Sequence, residues 1–586
     1  MRLDQLKLSG FRNFKNATVN FVTKTLLIGP NDIGKSNLIH ALRILLDRGL
    51  SELDLEPKDS DFYAFEDTNE IVITAKFVEV KEECVVSKMK ANLHDNGSFF
   101  LQYVGKRDPN TKRKEFAFFA GRDEASFVEI SGRFYTKVLN LHYIDSNRDL
   151  AAYIRTQKKH LLQEAKEVRS PEQIAGDSAS MVQIGEKLSE VNASVSGLSY
   201  VASATADINK ELKDLSFHNE RQAIEFDSGE SDPDAFVENL QLVSNVSGKK
   251  IAIGGDGRNN QVFLAIWASR FEKEAADPLE VTIFCIEEPE AHLHPHQQRK
   301  LAEYLATTLP GQVIITSHSP QIACELPPNS IVRLYNASPE TLAAHEGCAN
   351  IIEKSLSEFG YRLNILPAEG FFASVVLLVE GPSEVLFYKA LAEALKIDLD
   401  RLNISVVSVE GVGFSPYINL LDALMIRWVM RTDNDIFKVP RSNRYRCAGL
   451  QRALSAYATA GIKDAALDTL LAEHSDKLGK LDSAAIPAAL AEAVVGLKTG
   501  LEPHGIFLAD ADLERDLVAS PVLPALKDFF GDDILPEEVT ERMQMEKASF
   551  MFDFLRTHRG ELGKLKADRI AAPLNATEAL AKSIDA

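Results

Sequence analysis

Eight residues of this sequence, Gly29-Pro30-Asn31-Asp32-Ile33-Gly34-Lys35-Ser36, read G-x-x-x-x-G-K-S. They follow the apolar run Thr25-Leu26-Leu27-Ile28 and precede a segment of helical period over residues 37–46. A strand, such a loop and then a helix form a phosphate cradle. The glycines let backbone N–H groups turn inward, and the helix N-terminus adds partial positive charge. Lys35 is expected to reach the terminal phosphates of ATP and Ser36 to ligate Mg²⁺, with Asn31 and Gly34 shaping the loop. An ordinary strand-to-helix turn is the plainer reading, and the agreement of loop and both flanks weighs against it.

Carboxylates follow short apolar runs at several places. Val281-Thr282-Ile283-Phe284-Cys285-Ile286 ends in Glu287-Glu288-Pro289-Glu290, where Glu287 is expected to hold a Mg²⁺ shell and Glu288 to orient or deprotonate water. Ser374-Val375-Val376-Leu377-Leu378-Val379 ends in Glu380-Gly381-Pro382-Ser383-Glu384. Ile426-Arg427-Trp428-Val429-Met430-Arg431 ends in Thr432-Asp433-Asn434-Asp435. Gly505-Ile506-Phe507-Leu508 is followed by Asp510, Asp512, Glu514 and Asp516. One acidic cluster after a strand is ordinary, because loops are polar. The last three clusters together gather hard oxygen ligands on one edge of a parallel sheet, where α/β folds place chemistry. Glu380, Glu384, Asp433, Asp435, Asp512 and Glu514 supply enough carboxylates for two Mg²⁺ or Mn²⁺ ions and two-metal phosphodiester chemistry.

The elements that must position these groups read as alternating strands and helices. Leu6, Leu8, Phe11, Phe14, Val19 and Phe21 predict a β-meander into the phosphate-loop strand, and further strands are expected at 70–77, 99–104, 138–144, 313–316 and 406–409. Residues 150–246 are polar and helical in period, which predicts a helical insertion, and a second helical insert is expected at about 448–497. At 586 residues, with 45% hydrophobic and 26% charged residues, the chain has room for two or more ordinary globular domains. No apolar run is long enough to span a bilayer. The amino terminus has no signal-peptide pattern, and Cys84, Cys285, Cys324, Cys348 and Cys447 show no C-x-x-C spacing. Together these point to the reducing cytoplasm, without disulfides or a zinc site. The net charge of −20 is not the usual footprint of a nucleic-acid binder, although carboxylates reserved for metal account for part of it. Local basic clusters at 106–107, 112–114, 158–159 and 441–446 read individually as solvated faces.

The series of motifs carries a resemblance. Leu8-Ser9-Gly10-Phe11-Arg12-Asn13-Phe14 resembles the x-x-F-R-x-F opening of Rad50- and SMC-like ATPases. Gly254-Gly255-Asp256-Gly257-Arg258 stands where ABC-type ATPases carry the signature loop, which implies that Gly255, Asp256 and Gly257 contact ATP held by a partner's P-loop. Glu287-Glu288 matches the Walker B pair, with Glu in place of the commoner first Asp. Ala291-His292-Leu293-His294-Pro295-His296 resembles the D-loop, which accounts for the three alternating histidines better than a metal site does. His318 matches the switch histidine that senses the γ-phosphate. This resemblance covers roughly residues 1–335.

From about residue 370 to 580, E-G-P-S-E and D-x-D resemble a Toprim domain. The added Asp512-Leu513-Glu514 is similar to the OLD nucleases rather than to primases or topoisomerases, and no tyrosine stands in a nucleophile setting. Lys547 aligns with a late lysine that in OLD enzymes stabilises the scissile phosphate. Together the motifs resemble class 2 OLD nucleases of the Gabija antiphage type. The implied fold is α/β: an ABC-type ATPase domain at 1–149 and 247–345, a helical insertion at 150–246 that could dimerise, and a Toprim domain at 346–586. The implied activity is a nucleotide-regulated, metal-dependent endonuclease acting on double-stranded DNA. The implied assembly is a dimer of dimers partnered by a UvrD-like helicase. Two other readings stand beside it: a Rad50- or RecF-type repair ATPase without nuclease activity, and a DNA-clamping scaffold with degenerate sites.

Overall fold

Alternating apolar residues at the amino terminus build an antiparallel sheet. The computed structural model describes residues 1–145, 150–215, 224, 232–240, 243–246, 249–252, 278–291, 293–337, 339–344, 369–410, 413–531 and 533–584. The chain divides into two compact units, Met1–Ser146 with Glu272–Ala586, and Asn147–Phe271.

In the larger unit the antiparallel sheet has the order Phe14–Asn20, Arg2–Phe11, Glu70–Val78, Phe99–Arg107, Lys114–Gly121, Val128–Ile130. A bulge between Leu3 and Gln5 shifts the register, so that Leu3, Leu6 and Leu8 all face the core despite uneven spacing. The second sheet runs Glu340–Ala343, Ile331–Ala337, Lys24–Ile28, Val313–Thr316, Val281–Glu287, Leu139–Ile144. Its strands are parallel apart from the antiparallel pair at one edge. Leu26, Leu27, Ile28, Ile314 and Ile315 are fully buried, as the continuous apolar runs of a covered parallel sheet require. The third sheet, Ile404–Ser408, Val375–Val379, Arg427–Thr432, Ile506–Leu508, is wholly parallel. Between its last two strands lie the helices Ala448–Thr459, Ala465–Leu478 and Ala488–Leu501.

Arg333 joins the second and third sheets. Its strand pairs with the phosphate-loop strand, Arg333 opposite Ile28. Its buried guanidinium donates to the carbonyls of Leu424, Met425 and Ala373 beside the third sheet at 3.4, 3.1 and 3.1 Å.

The smaller unit holds the helices Leu150–Glu167, Pro171–Ser196, Ser199–Leu215 and Pro233–Asn239. It also has an antiparallel hairpin, Val243–Val246 with Lys249–Ala252, which the polar composition did not announce. No helix among the described residues is long and apolar enough to cross a membrane.

Candidate active sites

The phosphate loop leaves its strand at Gly29 and turns through Asp32 and Gly34, whose φ values are 60° and 100°. Gly34 is required on a second ground: a Cβ there would fall 2.2 Å from the Asn13 amide nitrogen. Asn13 ties the loop down, donating to the Ile33 carbonyl at 2.7 Å and to Thr341 Oγ1 at 2.8 Å, and accepting from Asn37 at 2.7 Å. Asn31 is exposed on the loop. Lys35, at the start of the helix Lys35–Leu46, turns its Nζ back onto the carbonyls of Gly29 and Pro30 at 3.0 and 2.8 Å. Burial lowers its pKa to about 8, against the opposing fields of Glu288, Asp32, Glu287 and Glu290. Glu287 and Glu288 thus lie near enough to Lys35 for their charges to act on it.

Glu287 is buried. It accepts from the Tyr143 hydroxyl at 2.9 Å and from Ser36, and burial raises its carboxyl pKa despite those bonds. Glu288 takes a left-handed backbone, φ 43°, a strained conformation for a non-glycine residue of the kind that clusters at functional sites. His318 Nε2 stands 3.4 Å from Glu288 Oε1, and burial, with Lys35 nearby, lowers the imidazole pKa. Glu290 braces the pair by accepting from Ser317 Oγ at 2.6 Å and the His318 amide at 2.8 Å. Lys35, Ser36, Glu287, Glu288 and His318 thus come together around one loop. Gly255, Asp256, Gly257 and His292 lie outside the described residues.

The third sheet gathers the other carboxylates at its carboxyl edge. Glu380 directly follows the strand Val375–Val379. Its Oε1 accepts from Thr432 Oγ1 at 2.5 Å and from the Asp433 amide at 2.9 Å. Oxygens of Glu380, Asp433 and Asp435 lie within 4.8 Å of one another, the one such group of potential metal ligands among the described residues. Three hard carboxylate oxygens at that separation suit Mg²⁺ or Mn²⁺. Glu384 stands behind this trio. One of its oxygens accepts from the amides of Glu380 and Gly381 at 2.6 and 3.1 Å, and the other pairs with Arg431.

Asp512 caps the helix Leu513–Val518 through Oδ1 and accepts from Gln544 through Oδ2 at 2.9 Å. Glu514 is buried, with Lys547 Nζ 3.0 Å from its Oε2. Burial pushes Lys547 down, but Glu514, and after it Asp433 and Asp512, outweigh that and raise its pKa, so Lys547 lies in the field of both acidic groups. The loops are laced together by the Asn434 amide bonding the Ala511 carbonyl at 2.7 Å.

Sequence reasoning named Lys547 but missed two arginines and the close contacts that hold these acids. Arg431, 2% exposed, pairs with Glu384, Asp433 and Asp516. Buried charge persists only when paired, and a cation in an apolar strand was a readable sign that partners had to exist. Asp433 is pushed up to about 8, first by burial, with Arg431 opposing and Glu384 and Glu380 assisting. Arg452 bonds Glu380 and Asp435 from the helix Ala448–Thr459. Gly449 lets that helix approach, since a Cβ there would lie 1.9 Å from the Asp433 carbonyl oxygen.

Known proteins match both regions. The AAA ATPase domain model matches residues 1–167 and 134–323, together more than half of the chain. The chain belongs to that family. The Toprim domain of overcoming-lysogenization-defect protein-like sequences matches residues 371–435, which carry Glu380, Glu384, Asp433 and Asp435. The chain therefore carries an AAA ATPase domain followed by a Toprim segment similar to that of OLD-like proteins. It is 23% identical to "Endonuclease GajA" of Bacillus cereus (strain VD045) over 549 residues, 91% of this chain and 92% of that one. It is 22% identical to "OLD nuclease" of Thermus scotoductus over 447 residues, 75% of this chain and 83% of that one. The C-terminal region of the Burkholderia pseudomallei OLD protein aligns at 25% identity and a TM-score of 0.21, over 36% of this chain and 98% of that one. The matched Toprim segment ends at Asp435, so Asp512, Glu514 and Lys547 rest on the geometry alone.

Proposed function

We propose that this protein is an OLD-family, metal-dependent endonuclease acting on double-stranded DNA, gated by ATP at its AAA domain, in bacterial antiphage defence. The observation that carries the reading is the convergence of Glu380, Asp433 and Asp435 at the carboxyl edge of a parallel sheet. Divalent ions held there supply a water of lowered pKa and charge stabilisation for the leaving oxygen. Glu380 and the Asp433–Asp435 pair hold one ion, and Asp512 with Glu514 form the second group. Lys547 meets the scissile phosphate from the Glu514 side. Arg431 keeps Asp433 and Glu384 in place without facing substrate.

Nucleotide binding falls to Lys35, Ser36 and the surrounding amides, with Glu287 holding Mg²⁺ through its bond to Ser36. Glu288 and His318 face the γ-phosphate position. Regulation of one site by the other is supported by Arg333, which links the neighbour of the phosphate-loop strand to the loop ahead of the Asp433 strand. By likeness to GajA, the proposal extends to a Gabija-type cytoplasmic assembly, a dimer of dimers working with a UvrD-like helicase. The test pairs Glu380→Ala with Lys35→Ala. Cleavage should be lost in the first with ATP binding intact, and ATP binding lost in the second with Mn²⁺ binding at the Toprim edge intact. Cleavage surviving Glu380→Ala would overturn the assignment.

A further inference from the structure

The helices between the last two strands of the third sheet deliver two cations to its acidic edge. Arg452, on Ala448–Thr459, donates from Nη2 to Glu380 Oε1 at 2.8 Å, Asp435 Oδ2 at 2.9 Å and the Asp433 carbonyl at 3.2 Å. Its Nε donates to Thr432 Oγ1 at 2.9 Å. Lys498, on Ala488–Leu501, pairs with Asp510 and donates to the Ala509 carbonyl at 2.9 Å. The close approach that Gly449 permits is what brings the Arg452 guanidinium among the carboxylates.

The two arginines at this edge differ in kind. Arg431 has a side chain 3% exposed and pairs with three carboxylates. Arg452 has a side chain 28% exposed and pairs with two of the three residues whose oxygens lie within 4.8 Å of one another. Mg²⁺ ligated by carboxylate oxygens sits at roughly 2.0–2.1 Å from each. An ion that drew on Glu380 Oε1 and Asp435 Oδ2 would share those oxygens with the Arg452 guanidinium, so two cations would oppose each other at one acidic pair.

We propose that Arg452 is a built-in competitor for the metal: it holds Glu380 and Asp435 together before a divalent ion arrives, and it must withdraw for that ion to bind. The helical insert then responds to metal occupancy. This rests on the metal-site reading above. It makes Arg452 a positioning residue that sets the metal concentration at which the site fills and keeps the acidic edge from opening by self-repulsion while it waits. Competition is reciprocal, so deleting Arg452 strengthens metal binding by the factor with which metal weakens the Arg452 contacts.

The test is Mn²⁺ binding to the full chain, by electron paramagnetic resonance or calorimetry, counting the binding that Glu380→Ala removes. Arg452→Ala should bind Mn²⁺ about tenfold more tightly than wild type, within the usual range of coupling between sites. Arg452→Lys, which keeps the charge with a single donor group, should fall between. Thermal unfolding guards against a folding defect: Arg452→Ala should melt below wild type without metal and gain more from Mn²⁺ than wild type does. Equal or weaker Mn²⁺ binding in Arg452→Ala, or equal gains in melting temperature, would show Arg452 to be a structural contact and overturn the proposal. Mn²⁺ binding unaffected by Glu380→Ala would overturn the metal site itself, a separate and recognisable failure.

Discussion

The two parallel sheets of the larger unit put their chemistry at the same place, the carboxyl ends of their strands, yet they solve opposite electrostatic problems. The phosphate loop presents amides, a helix N-terminus and Lys35, whose ammonium turns back onto the Gly29 and Pro30 carbonyls. It is a donor surface with carboxylates close by, suited to an anion that carries its own metal. The third sheet presents carboxylates, and its cations are all on the acids: Arg431, Arg452, Lys498 and Lys547. It is an acceptor surface suited to metal first and phosphate second. One fold principle serves both, and the sign of charge at the strand ends decides what is bound.

The largest effects should separate the two sites. Lys35→Ala should abolish ATP binding, measured by calorimetry, and leave Mn²⁺ binding at Glu380 unchanged; loss of both would merge the sites. Next comes Arg431→Ala, which strands three carboxylates around an empty buried position. Breaking a buried ion pair costs about 3–5 kcal/mol. Denaturant unfolding should show a loss of that size, and a loss below 1 kcal/mol would mean that the acids relax apart. Gly449→Ala should act more locally, pushing the Ala448–Thr459 helix off the Asp433 carbonyl. With Arg452 drawn away from Glu380 and Asp435, Mn²⁺ affinity should rise, in the same direction as in Arg452→Ala, while ATP binding stays unchanged.

The smallest effect is on pH. The carboxyl of Asp433 is raised to about 8, so below that pH the metal-free site holds a proton that an incoming ion must displace. Mn²⁺ affinity should therefore climb as pH rises towards 8 and level off above it. The same sign makes Asp433 a group whose share of fold stability declines as pH climbs above the ordinary carboxylate range, because the folded state binds the extra proton. A flat affinity profile between pH 6 and 8 would place the proton elsewhere.

Residues at the ends of apolar runs were legible from sequence, because a parallel strand is a recognisable unit and its carboxyl end is where its next residue must emerge. That is why Lys35, Glu287, Glu380 and Asp433 could be named from local pattern. Arg452 could not, since it reaches Glu380 across 72 residues and its helix reads as an ordinary alanine-rich segment. Gly449 is invisible for the same reason: its requirement comes from a carbonyl on another loop. Asn13 sits in a stretch singled out for its resemblance, but its work, pinning Ile33 and Thr341, depends on a partner 328 residues away. The hairpin at Val243–Val246 was missed because short polar strands carry too little alternation to register.

Nicking of supercoiled plasmid by the full chain with Mg²⁺ or Mn²⁺, with and without ATP, beside Asp433→Ala, decides whether the acidic edge of the third sheet is a nuclease centre. The expected result is metal-dependent nicking that Asp433→Ala abolishes and that ATP changes in rate. Nicking that persists in Asp433→Ala, or that proceeds in a chelator, would contradict it.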